Sequence, residues 1–139
     1  MLQRQTILSV STSDTGFVDI TRHLARFVAD SGVKTGLLTA LLRHTSAGLV
    51  IQENADPDVL ADLADRLEAM APRDPSLYRH RSEGSDDMPA HVRAMLTNVQ
   101  LSIPVMKGRL ALGKWQAVYV AEHRARGSDR QVALHLTGE

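Results

Sequence analysis

Imidazoles and carboxylates are the side chains of this sequence whose types and spacing point to chemistry. Six histidines occur in 139 residues. Four of them, His44, His80, His91 and His123, stand beside acidic, serine or arginine clusters. Imidazole titrates near neutrality and ligates metals, so such clusters suit proton transfer or metal binding. The first cluster is His44-Thr45-Ser46 followed by Glu53-Asn54-Ala55-Asp56, with the histidine between two apolar runs. Ser46 beside a histidine raises a serine nucleophile, but no strand-turn-helix elbow accompanies it. The second cluster places His80, Glu83, Asp86, Asp87 and His91 within twelve residues of a loop and the helix it enters. One aspartate is expected to cap that helix. His91 is expected in its first turn, where the helix dipole disfavours protonation and leaves a neutral ligand or base. The third cluster is Trp115-Gln116 with Glu122-His123-Arg124. Arg124, Arg126 and Arg130 have the planar fork that matches phosphate oxygens in pairs, and a solvated hairpin is an equal reading.

A metal would unify these pieces. Three neutral histidines and a water form a common catalytic zinc site, and the expected ligands are His44, His91 and His123, with His80 and Asp86 as further candidates. A phosphate-handling site would instead use carboxylates and Mg²⁺. No HExxH motif is present.

These residues need elements to hold them. Thr6 to Thr12 reads as a strand with Ile7, Leu8 and Val10 inward, broken at Gly16. Ile20 to Asp30 has helical spacing, with Asp19 as N-cap and Ser31-Gly32 as stop. Leu37–Leu42 and Leu49–Ile51 read as strands on either side of the His44 segment. Asp56-Pro57 starts a helix whose stripe is Leu60, Leu63, Leu67 and Met70, ended by Pro72. Residues 73–87 form a polar loop, and loops of that length are usually functional or mobile. A helix from Asp86-Asp87 to about Thr97 follows, with Met88, Val92, Met95 and Leu96 as apolar positions. Gln100 to Val105 is a strand, Lys107-Gly108-Arg109 a tight turn, and Leu110 to Gly113 a short segment. In Trp115 to Ala121 alternation puts Trp115, Ala117, Tyr119, Ala121 and then His123 on one face, so His123 should point inward. Arg126 to Asp129 reads as a hairpin turn into a last strand, Gln131 to Thr137. The irregular alternation predicts one α+β domain with a mostly antiparallel sheet or sandwich and three helices.

Composition bounds the alternatives. Lys+Arg and Asp+Glu number 16 each, and a balanced charge speaks against nucleic acid or an anionic membrane as main partner. There is no cysteine, which removes disulfides, thiolate zinc sites and cysteine nucleophiles and suits a reducing cytoplasm. No apolar run approaches the roughly 20 residues of a membrane span. The first residues open into a strand pattern without a signal segment.

The segments HTSAGLVIQENADPDV, EGSDDMPAHVRAML, GRLALGKWQAVYVAEHR and the terminal TGE resemble the YjbQ family, uncharacterised protein family 0047, over roughly Gln3 to Glu139. The resemblance implies a cytosolic α+β protein assembled as a homotrimer or dimer of trimers, with a polar site near subunit contacts. It also implies a weak thiamine-phosphate synthase activity on small phosphorylated metabolites. The family pattern falls on His44, Ser46, Glu53, Asn54 and Asp56, on His80, Glu83, Asp86, Asp87 and His91, and on Trp115, Gln116, Glu122, His123 and Arg124. Gly127-Ser128-Asp129-Arg130 departs from the usual hairpin form. On this reading a divalent metal, zinc or Mg²⁺, meets pyrophosphate with help from Arg124, while Trp115 or Tyr119 lines a ring pocket. Under a hydrolase or lyase reading, Glu83 or Glu122 moves protons at a histidine-bound metal. A third reading is a trimeric metabolite binder without turnover.

Overall fold

A computed structural model describes residues 1–139. Eight strands and three helices follow in the order β1 (Leu2–Ser11), β2 (Gly16–Asp19), α1 (Thr21–Ser31), β3 (Thr35–Leu42), β4 (Ala47–Glu53), α2 (Pro57–Met70), α3 (Asp87–Leu96), β5 (Gln100–Met106), β6 (Arg109–Leu110), β7 (Gln116–Glu122) and β8 (Asp129–Gly138). A short 3₁₀ turn, Pro75–Leu77, interrupts the loop between α2 and α3. The strands form a five-stranded sheet, β1-β8-β3-β5-β6, and a three-stranded sheet, β2-β7-β4, with every pair antiparallel. The expected α+β class with three helices is the one observed. No helix is long and apolar enough to cross a membrane.

Apolar residues at alternate positions build the core. Leu38, Ala40 and Leu42 of β3 and Val132, Leu134 and Leu136 of β8 meet Leu49, Val118 and Val120 of the smaller sheet, and α1 adds Leu24 and Val28. Ile7 is the exception to the expected set: alternation buries Val10 and half-buries Leu8, so Ile7 points outward. Asp56 caps α2 as expected, its side chain accepting the Asp58 N–H, with Pro57 at the first helical position. The α2 stripe is only half-buried, and Met70 is exposed. The start of α1 shifts by one residue. Ile20 is its N-cap, while Asp19 Oδ1 still accepts the Thr21 N–H at 2.9 Å. Gly32 ends α1 with φ 75°, a left-handed conformation that glycine adopts without a Cβ clash.

Two expectations need correction for topological reasons. The first strand does end before Gly16, but Gly16 also begins the unexpected β2, which is too short to show a period yet pairs with β7 over Gly16–Asp19. Arg126–Asp129 does not close a hairpin, because β7 and β8 belong to different sheets. The same holds for β3 and β4 across Arg43–Ser46. These are two of the six places where the chain passes between the sheets, and both contain residues singled out for chemistry.

Candidate functional site

The crossovers are stitched together. Arg43 N–H donates to Gln131 O at 3.0 Å, and Gln131 N–H donates to His44 Nε2 at 2.8 Å. The lone pair of His44 Nε2 is therefore occupied. Burial, and then the charge of Arg130, lowers its pKa below the ordinary histidine value. Ser46 does not pair with His44. Its carbonyl and Oγ accept from Arg130 Nη2 at 3.3 and 3.0 Å, and no base adjoins the hydroxyl.

Glu122 ends β7 opposite Ala47 and is 1% exposed. Burial works against its charge, but Arg130, the Thr12 hydroxyl at 2.6 Å and the Arg124 N–H at 3.2 Å hold its carboxyl below the usual range. An acid held this firmly in its ionised form, with both oxygens engaged, is a poor proton shuttle. Its place is in a buried ion pair with Arg130. His123 is buried, at 2% exposure, but alternation expected the wrong inward set: Val118 and Val120 enter the core between the sheets, and β7 is covered on both faces. His123 Nε2 shares a 3.1 Å hydrogen bond with the Thr97 hydroxyl. Burial, followed by the Arg93 charge, pushes its pKa down to about 4. Gly48 permits this arrangement, since a Cβ there would collide with Thr97 Oγ1.

The second cluster does converge. Asp87 opens α3 with its side chain 3% exposed. Its Oδ2 lies 2.9 Å from His80 Nε2 and 3.3 Å from His91 Nε2, and its Oδ1 accepts from Arg124 Nη1 at 2.7 Å. Asp87 and His91 are four residues apart on α3, which puts them on one face. The three ligand atoms lie within 4.8 Å of one another. Glu83 stands at the rim, its carboxylate 3.9 Å from His80 Nε2. The backbone bend beneath it uses Gly84 at φ 103°.

Arg124 frames this cluster and is not free for phosphate. Its Nε and Nη2 bond Asp86, its Nη1 bonds Asp87, and its Nη2 also reaches the Glu83 carbonyl at 3.0 Å. Asp86 does not cap α3 with its side chain, which instead accepts from Arg124 and from the Ala125 N–H at 2.9 Å. Burial opposes its charge, and these bonds nonetheless hold its carboxyl low. The helix begins at Asp87, so His91 lies one turn in and not in the first turn.

His91 carries the most informative bond. Its Nδ1 lies 3.0 Å from the Thr45 carbonyl, which can only accept. The proton of a neutral His91 therefore sits on Nδ1. The bare Nε2 lone pair then faces the Asp87 carboxylate, and a proton or a cation is required between them.

The expected His44–His91–His123 ligand set does not form within the chain. His44 is held by the Gln131 amide, and His123 lies on the far side of α3 against Thr97; the clustered donors are His80, Asp87 and His91. The other candidates lie at the opposite end of the β4–β7 pair, where Glu53 faces Gln116. Glu53 Oε2 accepts the Asp56 N–H at 3.2 Å, Asn54 is exposed and its N–H donates to Trp115 O, and Gln116 Oε1 accepts the Gly113 N–H. Trp115 precedes β7 and is 56% exposed beneath the Lys114 ammonium, so burial along β7 starts at Ala117. Tyr119 is buried, with its hydroxyl on the Glu53 carbonyl.

Sequence reasoning missed Thr45, Thr97, Thr12 and Arg93. The first three act through a carbonyl or hydroxyl that no spacing announces. Arg93 had one signal: α3 buries Asp87 and Arg93 while Met95 and Leu96 stay exposed, so its apolar residues do not mark its buried face.

Known proteins share this architecture. The profile of the "UPF0047 protein YjbQ-like" family matches residues 6–139. A UPF0047 protein of Synechocystis is 50% identical over 137 residues, covering 99% of this chain and 93% of its own length. The crystal structure of a conserved hypothetical protein from Thermus thermophilus superposes with TM-score 0.85 at 40% identity, covering 95% of this chain and 99% of its own. A YjbQ/UPF0047 family protein from Clostridium acetobutylicum gives TM-score 0.87 at 34% identity, with 95% and 99% covered.

Proposed function

This chain belongs to the UPF0047 YjbQ-like family, and on that footing we propose that it is a divalent-metal enzyme acting on a small phosphorylated metabolite, with His80, Asp87 and His91 as the metal ligands. The observation that carries this reading is the Nε2 lone pair of His91, fixed by the Thr45 carbonyl and aimed at Asp87. Ligands about 2.0–2.1 Å from a tetrahedral zinc stand about 3.3 Å apart, close to the 2.9 and 3.3 Å that separate Asp87 from His80 and His91. Two imidazole nitrogens and one carboxylate oxygen suit zinc or a neighbouring transition ion better than Mg²⁺, which prefers oxygen.

Such an ion, when bound, supplies Lewis acidity and an acidified water. The chain supplies the rest. The Thr45 carbonyl sets the His91 tautomer and ring orientation, and Arg124 with Asp86 fixes the Asp87 carboxylate. Glu83, exposed at the rim, is placed to take up or return a proton. Arg79 and Arg81, exposed on either side of His80, favour an anionic substrate.

We favour hydrolase or lyase chemistry over thiamine-phosphate synthesis. A Mg²⁺–pyrophosphate site calls for several carboxylates and free guanidinium donors, while this cluster has one carboxylate between two imidazoles and Arg124 is tied to Asp86 and Asp87. Assembly as a homotrimer or dimer of trimers belongs to the same proposal. The outer face of the five-stranded sheet leaves Ile7, Leu37 and Leu41 exposed for such a contact.

The test assays tag-free protein, zinc-loaded or metal-stripped, on phosphate monoesters, phosphoanhydrides and the two thiamine-phosphate precursors. Turnover of an ester or anhydride that needs zinc and vanishes in His91→Ala is the expected result. Thiamine-phosphate synthesis as the dominant reaction, unaffected by His91→Ala, would refute the reading.

A further inference from the structure

Behind α3 lies a cavity of about 180 Å³, bounded by the start of β2, by α2 and by the end of β7. It is a different place from the His80–Asp87–His91 cluster. His91 and Arg93 are two residues apart, so they leave the helix on nearly opposite faces, about 200° around its axis. Arg93 lines the cavity and is 2% exposed. Its Nη2 donates to the Ala71 carbonyl at 2.9 Å, its Nε has no partner, and it forms no ion pair. Glu68, on the same cavity, is the acid whose charge supports it most, but no carboxylate comes within ion-pair distance, and a buried guanidinium so loosely paired is costly.

We propose that this cavity is a second ligand site, and that it takes a small organic monocarboxylate against the Arg93 guanidinium. The walls select among anions. Phe17, Leu67 and Ala121 give it an apolar side that fits a short hydrocarbon tail. Arg73 adds positive charge, and neutral His123 adds a polar group without charge. Glu68 and Glu122 also face the space, which penalises a phosphate dianion more than a carboxylate. Because α3 carries Asp87 and His91 on its other face, a ligand here braces the helix that presents two of the clustered donors.

The experiment titrates isotope-labelled full-length protein with sodium butyrate, with inorganic phosphate and chloride as controls at equal ionic strength, and follows backbone amides by NMR. Saturable butyrate shifts at Gly16, Phe17, Ala121 and His123, absent with phosphate and chloride, are expected. Arg93→Met should weaken binding at least about tenfold, the loss of a charge-assisted pair. Ala64→Leu keeps the guanidinium and fills the cavity, and should block binding even if Arg93→Met fails to fold. No saturable shift in the wild type, equal saturation by phosphate, or binding that survives Ala64→Leu would overturn the proposal.

Discussion

At one end of the β4–β7 pair Ala47 faces Glu122; at the other, six residues along and about 20 Å away, Glu53 faces Gln116. Both ends are rich in polar residues. At the Glu122 end the chain crosses between sheets, and β8, α3 and the loop before α3 cover the strand ends. Polar groups there lose water and must find partners: Glu122 with Arg130 and Thr12, Asp87 with Arg124, His123 with Thr97. At the Glu53 end the chain leaves for α2 and stays wet. Asn54, Trp115 and Gln116 are exposed, and their bonds are mostly to nearby backbone. Similar residue types thus carry different energies, because burial decides how much a missing partner costs.

The strongest way to break this comparison is to remove one acid from each end. Glu122→Ala strands Arg130 in the interior and should cost about 3–5 kcal/mol in urea unfolding. Glu53→Ala should cost at most about 1 kcal/mol, since its side chain accepts only one partly solvated N–H. Equal losses would erase the distinction.

Next comes acid. Unfolded His123 binds a proton near pH 6.5, but the folded chain resists until about pH 4, so protons favour the unfolded state between these values. Stability should fall by about 3 kcal/mol from pH 6.5 to 4, and His123→Gln should flatten that slope. Glu122 and Asp86, both held below the ordinary carboxylate range, add a further loss as pH falls below that range, because their unfolded carboxyls take up protons before the folded ones do.

Arg124→Gln loosens Asp86 and Asp87 together. It should cost about 1–3 kcal/mol in unfolding experiments and weaken zinc binding about tenfold by calorimetry. The smallest effect belongs to the wet end, where Asp56→Ala removes the α2 cap and about 1 kcal/mol. An effect of that variant on zinc affinity would show that the two ends are coupled.

The sequence revealed what local rules govern. Asp56-Pro57 marked the start of α2 and Ser31-Gly32 the end of α1, each through capping chemistry that acts within a few residues; Asp86-Asp87 with Pro89 also marked the start of α3, although the Asp86 side chain binds Arg124 and Ala125 and does not cap it. The burial of His123 was expected, but strand alternation picked the wrong inward face, because helices and loops cover the second face of β7 as well. Sheet membership did not follow from local rules, because a turn-rich segment such as Arg126–Asp129 looks the same whether it closes a hairpin or carries the chain to another sheet. Ligand grouping failed for the same reason. His44, His91 and His123 all looked available, and only the tertiary structure gives the Gln131 amide to His44 and Thr97 to His123. His80, Asp87 and His91, close in sequence on a loop and the helix it enters, were the grouping that proximity could show.

Cobalt(II) titration of metal-stripped, tag-free protein tests the central claim most directly, because visible bands of the ion report nitrogen ligation without any need for a substrate. The account predicts about one equivalent bound per chain, with the bands lost in His91→Ala and retained in His123→Ala. No bands, or bands that survive His91→Ala and vanish in His123→Ala, would contradict it.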